Sequence, residues 1–532
     1  MKMIKRILLM LLLLTGSCFA GEFSVAGIFT DGVILQQKMK VPVWGNAAAG
    51  ETVKVTFGKQ EKTATADETG RWLLRLDPMK ASAEPRTLVV SSPILNVQFS
   101  VLNVLVGEVW LVGGQSNADF TLAKLMANSS TPEIEPVLQY LRNEVATAND
   151  PLLRQFANDG GASPLIEVTK LNSKSGWVPA VKGKVNDFSG TGYFFGRYLR
   201  EQLGVPVGLI DANRGGTDIE PWIPKRQYMK TDAGKAFYNE RVAVLNVDNS
   251  DFIKKLAEWK KLVTAAKAAK QRPPRRPSDP RNPTRIPAAL FNSHIYALAP
   301  YALKGSIWYQ GENNTSYRTE QYRDSMLALI EGWREHWGQK KFYFYWCQLA
   351  SKNSVNNVPN DGDSWVKIQN QQREVLALTS ETGMAVLNDI GEAQNIHPNN
   401  KVDVGKRLAL WALKQAYDQD LVCSGPLYES SKIKGKRVVV TFKHVGSGLM
   451  VGNKHLMEPT REVDQPLKRF QICGADRVWK WAEAKIVGTD RVEVWHTDIP
   501  EPVEVRYAWS SNPEGANLYN KEGLPASLFK TK

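Results

Sequence analysis

At 532 residues the chain exceeds what one ordinary core holds, so two to four domains are expected. With 43% hydrophobic residues, 16 Trp and no low-complexity tract, it is globular rather than disordered or fibrous. The net charge of +14 comes without any nucleic-acid recognition motif, so nucleic acid is not the expected partner.

The N-terminus reads "MKMIKRILLMLLLLTGSCFAG": basic residues, an apolar run, then a small-x-small site. This pattern predicts a secretory signal peptide over 1–20, cleaved after Ala20, and hence an exported protein, periplasmic or extracellular. The run is short for a membrane span, and no other segment of the chain looks like one. A lipoprotein attached through Cys18 is the lesser alternative, because "TGSC" lacks an aliphatic residue three positions before the cysteine.

From 21 to 102, short apolar/polar alternations such as "KVPVWG" and "ETVKVTFG" between turn signals predict an N-terminal β-sandwich acting as scaffold. The grammar changes over 103–420. Strand-like runs ("NVLVGEVWLVG", "PVGLIDAN", "LKGSIWYQ", "KKFYFYWCQL", "GMAVLNDI") alternate with helix-like stretches ("GTGYFFGRYLREQLG", "TEQYRDSMLALIEGWREHWG", "NNKVDVGKRLALWALKQAY"). That alternation predicts an α/β domain with a mainly parallel sheet. The stretch 265–285, "AAKAAKQRPPRRPSDPRNPTR", reads as a solvated basic loop after a helix, with an anionic glycan or surface as the other reading. From 421 to 532 the helical pattern stops, and "KRVVVTFKHVGSGL", "RFQICGAD" and "PVEVRYAWSS" predict a C-terminal β-domain. Beyond the signal, Cys347, Cys423 and Cys473 form no disulfide framework, although a 423–473 bridge is open.

In parallel sheets, ligands sit beyond the carboxyl ends of strands. Four strand-end loops carry chemistry-bearing residues: "GGQSN" with Ser116, "DANRGGTDIEPW" (211–222), "WYQGENN" (308–314) and "NDIGEAQNIHPNNK" (388–401) with His397. Each alone reads as an ordinary turn. Together they supply a nucleophile, backbone N–H donors, a side-chain amide and an imidazole, which are the parts of an acyl-transfer site. His397 is the one histidine of six that follows a strand in this way, and its ordinary pKa suits proton transfer near neutrality. Ser116 N–H, Gly216 N–H and the Gln310 amide are the candidate oxyanion donors. No metal or other cofactor is called for, since HExxH and Cys/His ligand spacings are missing.

These motifs resemble the SGNH-hydrolase superfamily, and within it the sialate O-acetylesterase family of carbohydrate esterases. The family reads close to "GQSNM", "GGT.IE.W", "WYQGESN" and "IHP.NK..VG.RLAL"; this chain has "GQSNA", "GGTDIEPW", "WYQGENN" and "IHPNNKVDVGKRLAL". The likeness runs from "FTDGVILQQKMKVPVWG" to "RYAWSSNPEGANLYNKEGLPASLFKT". It implies a flavodoxin-like, three-layer α/β catalytic domain flanked by β-domains, and a serine esterase acting on an O-acetylated sugar or glycan.

Departures shape the expectations. Ala118 replaces the usual Met and is expected to reshape a pocket wall. Arg214 stands where an aromatic is common and would favour an acidic substrate. The superfamily Asp three residues before the histidine is Gln394 here, so the triad acid is open. Asp389 is the first candidate, Glu312 (also a candidate substrate contact) the second, and a Ser–His dyad the third. The superfamily's third-block Asn aligns near Asn313, but the family usually has Ser there, which favours Gln310 as donor. A non-catalytic carbohydrate-binding protein would explain the β-domains but not the four convergent loops. A peptidase or lipase would want a G-x-S-x-G elbow, which these loops lack. Sialic acid esters and acetylated xylan or other plant glycans both remain as substrates.

Overall fold

The computed structural model describes residues 23–531, apart from 93, 95, 129–130, 275, 278, 280, 340 and 360–361. The expected signal segment and Cys18 lie outside the described residues. Among the described residues no helix is long and apolar enough to cross a membrane.

A central sheet organises the chain. Its strands are β1 (Val97–Gly114), β2 (Asn149–Ala157), β3 (Trp177–Val181), β4 (Val207–Asn213), β5 (Gly305–Tyr309), β6 (Tyr343–Cys347) and β7 (Thr382–Ala385). Their spatial order is β3-β2-β4-β1-β5-β6-β7, parallel throughout except for the antiparallel edge strand β3. The inner strands are buried on both faces, and so read as continuous apolar runs. Helices cover both faces: α1 (Ser116–Asp119) is one turn, followed by α2 (Gly190–Leu203), α3 (Ser250–Ala268), α4 (Tyr322–Trp337), α5 (Ser364–Val375) and α6 (Lys401–Gln415). Alternation along β1 shows the layering. Val112 meets Gly192 of α2, whereas Gly113, one residue on, meets Trp333 of α4. On the α2 face, Gly405 of α6 lets the two helices touch, because a Cβ there would lie 2.4 Å from Phe195 N.

The N-terminal region departs from the expected separate sandwich. Strand β1 is unbroken for 18 residues and crosses the expected 102/103 boundary. Its first half pairs with Ser82–Ser92 and Ile34–Gln36, and its second half is the centre of the α/β sheet. One hydrophobic core therefore spans both regions. The C-terminal region has two four-stranded sheets and a three-stranded one around its own core. Cys423 and Cys473 are both buried free thiols, so the open 423–473 bridge is not formed.

Candidate active site

Register places the site. Gly114 lies opposite Asn213 on one side and Tyr309 on the other, so the loops after β1, β4 and β5 leave the sheet at one level. Gly114 itself has φ +138°, and a Cβ there would sit 2.2 Å from Tyr309 O, so only glycine closes this corner. The chain then turns through Gln115 into α1, where Ser116 is the first residue and half-buried. The Gln115 side chain is buried, and its Oε1 accepts from the backbone N–H groups of Gly311 (3.4 Å) and Asn313 (3.2 Å). It thus pins the third loop against the serine corner.

His397 arrives from the loop before α6. Its Nε2 lies 2.9 Å from Ser116 Oγ. The ring stacks on Phe120 at 4.0 Å, tilted by 20°. The backbone on either side is held: Asn395 Oδ1 accepts from His397 N, while Asn395 Nδ2 and Asn128 Nδ2 donate to its carbonyl. Burial, with the Lys401 ammonium nearby, pushes the imidazole down to about 4, below the range expected from sequence.

Four sequence expectations are corrected here. Asp389 does not reach His397. Its two oxygens form a bidentate pair with Arg407 at 2.6 and 2.8 Å, and Tyr519 O–H donates to it at 3.3 Å. Glu312 does not reach it either: its carboxylate is buried and accepts from Asn117 Nδ2 at 2.5 Å, which also removes it as a substrate contact. Among the described residues no carboxylate bonds to the histidine, and Gln394 is exposed. Gln310 is fully buried, and its amide is already committed to Thr217 O (3.2 Å) and Asn314 Oδ1 (2.7 Å), with Tyr322 O–H donating to its Oε1 at 3.0 Å. It cannot face a substrate. Ala118 is also fully buried, its carbonyl accepting from Ser189 Oγ at 2.6 Å, so it forms no pocket wall.

Asn313, set aside from the sequence in favour of Gln310, has the more accessible amide. It is half-buried, it follows β5 next to the serine corner, and its Nδ2 donates to Asp218. That leaves its second amide hydrogen for a ligand. Burial holds the Asp218 carboxyl above its usual range. Gly215 and Gly216 are exposed; a Cβ on Gly215 would lie 3.7 Å from Ser116 Cβ. Gly216 has φ +70° and open space around it. Arg214 is exposed on the same loop, and its charge reaches buried His294, which burial pushes down to about 4.

A network beneath the pair was not read from the sequence. Lys401 is fully buried; its ammonium donates to Asn117 Oδ1 at 2.8 Å and to Pro398 O at 2.6 Å. Asn117 also donates to Ile396 O at 2.9 Å. Residues adjoining the serine and residues adjoining the histidine are thereby tied through one cation. Burial lowers Lys401 to about 8, and the Glu312 carboxylate works in the opposite direction. The signal was present in the Asn of "GQSN" and the Lys of "HPNNK", which carry no chemistry of their own.

A serine and an imidazole in contact at the carboxyl edge of a parallel sheet have the composition of an acyl-transfer centre, and comparison with known proteins gives the class as carboxylic ester hydrolase acting on carbohydrate. The family model for the carbohydrate esterase, sialic acid-specific acetylesterase domain matches residues 288–414. A carbohydrate acetylesterase from Xanthomonas citri is 32% identical, covers 96% of this chain and 99% of its own, and superposes with a TM-score of 0.76. Sialate O-acetylesterases from Rattus norvegicus and Homo sapiens are 27% and 26% identical over 98% and 95% of this chain, and over 97% and 92% of their own. The chain belongs to the sialate O-acetylesterase family of carbohydrate esterases.

Proposed function

We propose that this protein is an exported SGNH-type hydrolase that removes O-acetyl groups from sugars through a Ser116–His397 dyad. The observation that carries the reading is the 2.9 Å contact between Ser116 Oγ and His397 Nε2 at the meeting point of four strand-end loops. Ser116 Oγ attacks the acetyl carbonyl while His397 Nε2 takes its proton. A histidine held near 4 is neutral at pH 7, so the base is in its working form. The oxyanion develops beside Ser116 N–H, which has no intrahelical acceptor at the first position of α1, Gly216 N–H and the free amide hydrogen of Asn313. His397 then protonates the departing sugar oxygen, activates water against the acetyl-enzyme, and acetate leaves. Stacking on Phe120 and the backbone clamps from Asn395 and Asn128 hold the ring, doing what a third carboxylate does elsewhere.

Arg214, exposed on the Gly-Gly loop, supports an acidic sugar such as a sialate as substrate. The test is acetate release from O-acetyl sialic acids, acetyl-xylan and a small aryl acetate. Ser116→Ala is expected to abolish release from all three while leaving the fold intact. Turnover at the wild-type rate in Ser116→Ala removes the serine from the mechanism, and preference for acetyl-xylan removes the acidic-sugar reading.

A further inference from the structure

Helix α3 and the Pro-rich segment returning from it form an arm with a chemistry of its own. No residue of α3 is buried. Its half-buried side chains Phe252, Leu256, Trp259 and Val263 fall on one stripe, as the 3.6-residue repeat requires. The returning chain covers that stripe at Trp259: the indole N–H donates to Pro274 O at 2.8 Å, and the Arg276 guanidinium lies 5.9 Å over the ring. The rest of the helix surface is basic. Lys254 and Lys261 are seven residues apart on the side opposite the stripe, and Lys260 and Lys267 repeat that spacing on one flank. Each pair spans about 10.5 Å along the axis, comparable with a disaccharide unit of an extended glycan. The one ion pair on α3 among the described residues is Lys254–Asp251, loose at 3.9 Å and solvent-exposed. Residues 250–285 hold eleven lysines and arginines against three acids, in a chain whose net charge is +14.

The arm is rooted at the catalytic edge. It rejoins the domain through the turn Pro283–Arg285, which packs on the turn Glu220–Trp222 closing the Gly-Gly loop. The Arg285 charge acts on Asp218, the residue that holds Asn313. Exposed Ile253 and Leu262 lie on opposite flanks of the helix, so there is no apolar face to enter a bilayer.

We propose that this arm is a docking surface for a polyanionic glycan, gripping acidic sugars of the chain while one acetylated residue occupies the catalytic site. This rests on the esterase reading above, and the experiment separates the two. The full-length protein and a K254E/K260E/K261E/K267E variant are assayed on three substrates: a small aryl acetate, a neutral acetyl-xylan and an O-acetylated acidic polysaccharide. Binding to unacetylated polygalacturonate and to vesicles containing anionic phospholipid is measured in parallel. The expected result is a roughly tenfold or greater loss of kcat/KM on the acidic polymer alone, carried by KM and reproduced in the wild type by raising the salt. Polygalacturonate binding should fall in step. Equal losses on acetyl-xylan, or no loss on the acidic polymer, overturn the proposal. So does loss of vesicle binding with acidic-polymer turnover intact, which would make the arm a membrane contact. A wild type inert on the aryl acetate and both polymers overturns the esterase reading instead, and polygalacturonate binding then still decides the role of the arm.

Discussion

Replacing Gln310 and Asn313 separately by alanine distinguishes a structural amide from a catalytic one. The Gln310 side chain is fully buried and engaged with Thr217 O, Asn314 Oδ1 and the Tyr322 hydroxyl. Its removal orphans Thr217 O alone, because Asn314 Oδ1 keeps the backbone N–H of Ile219 at 3.0 Å and the Tyr322 hydroxyl keeps its bond to Gln310 O at 3.0 Å. One buried carbonyl without a partner costs about 1–3 kcal/mol, and the cavity adds to this, so a loss of about 2–5 kcal/mol is expected. Asn313→Ala removes a half-buried amide whose one internal bond is to Asp218. The buried Asp218 carboxyl, already raised, can take up a proton in response, which limits the stability cost to about 1 kcal/mol. If the second amide hydrogen of Asn313 meets the oxyanion, kcat falls by about 10²–10³, or about 2.7–4 kcal/mol of barrier, with little change in KM. Steady-state kinetics on an aryl acetate, normalised by active-site titration and paired with thermal melts, reads both effects. A Gln310→Ala variant that melts like the wild type but loses turnover a hundredfold would refute the assignment.

The kcat/KM of the wild type should be flat through neutrality and fall on acidification through about 4, because the proposed base is the neutral form of His397. Removing the nearest buried cation in Lys401→Gln should move that limb upward toward 6.5; an unmoved limb in a folded variant would disconnect Lys401 from the histidine. Desolvation pushes buried His294 and half-buried His336 down to about 4, below their unfolded value. Their stabilisation is complete above about 6.5 and is lost as pH falls from there toward 4, so the melting temperature should drop between pH 7 and pH 5. Asp389→Asn breaks a pair in which both side chains are 6% exposed, and should cost about 3–5 kcal/mol of stability while kcat of the folded fraction changes by less than about threefold. A loss of several orders of magnitude in kcat would restore Asp389 to the triad.

The serine and the histidine were legible because a parallel sheet sends every strand-end loop to one edge, and the strand pattern alone identifies those loops. The parallel strands at the sheet centre were legible for a related reason: burial on both faces makes them continuous apolar runs. Strands β2 and β3 were missed because "NDPLLRQFA" and "WVPAV" carry Pro and charge. Arg154 of β2 is nonetheless buried, its guanidinium satisfied by the carbonyls of Gly32 and Asn103, and Pro179 of β3 sits where the register shifts on the sheet edge. The choice between Gln310 and Asn313 depended on which side of the loop faces the sheet interior, and that is set by Asn314 and Tyr322 rather than by local spacing. The fate of Asp389 was hidden in Arg407, 18 residues downstream on α6, whose reach across the loop leaves no trace in periodicity. Asn103, with φ +55°, lies inside an unbroken strand at the point where a domain boundary was read.

That unbroken strand bears on how the protein can be cut and recombined. Ser116 stands just beyond the last rung of β1, whose first rungs belong to the N-terminal β region. Buried Glu108, midway along, is satisfied by Gln36 and Gln37 from that region at 2.8 and 2.7 Å. A truncation starting at residue 103 would strand this carboxylate and strip the lower half of β1 of its neighbours. The N-terminal segment is therefore no detachable accessory: shuffling it between relatives exchanges part of the beam on which Ser116 is mounted.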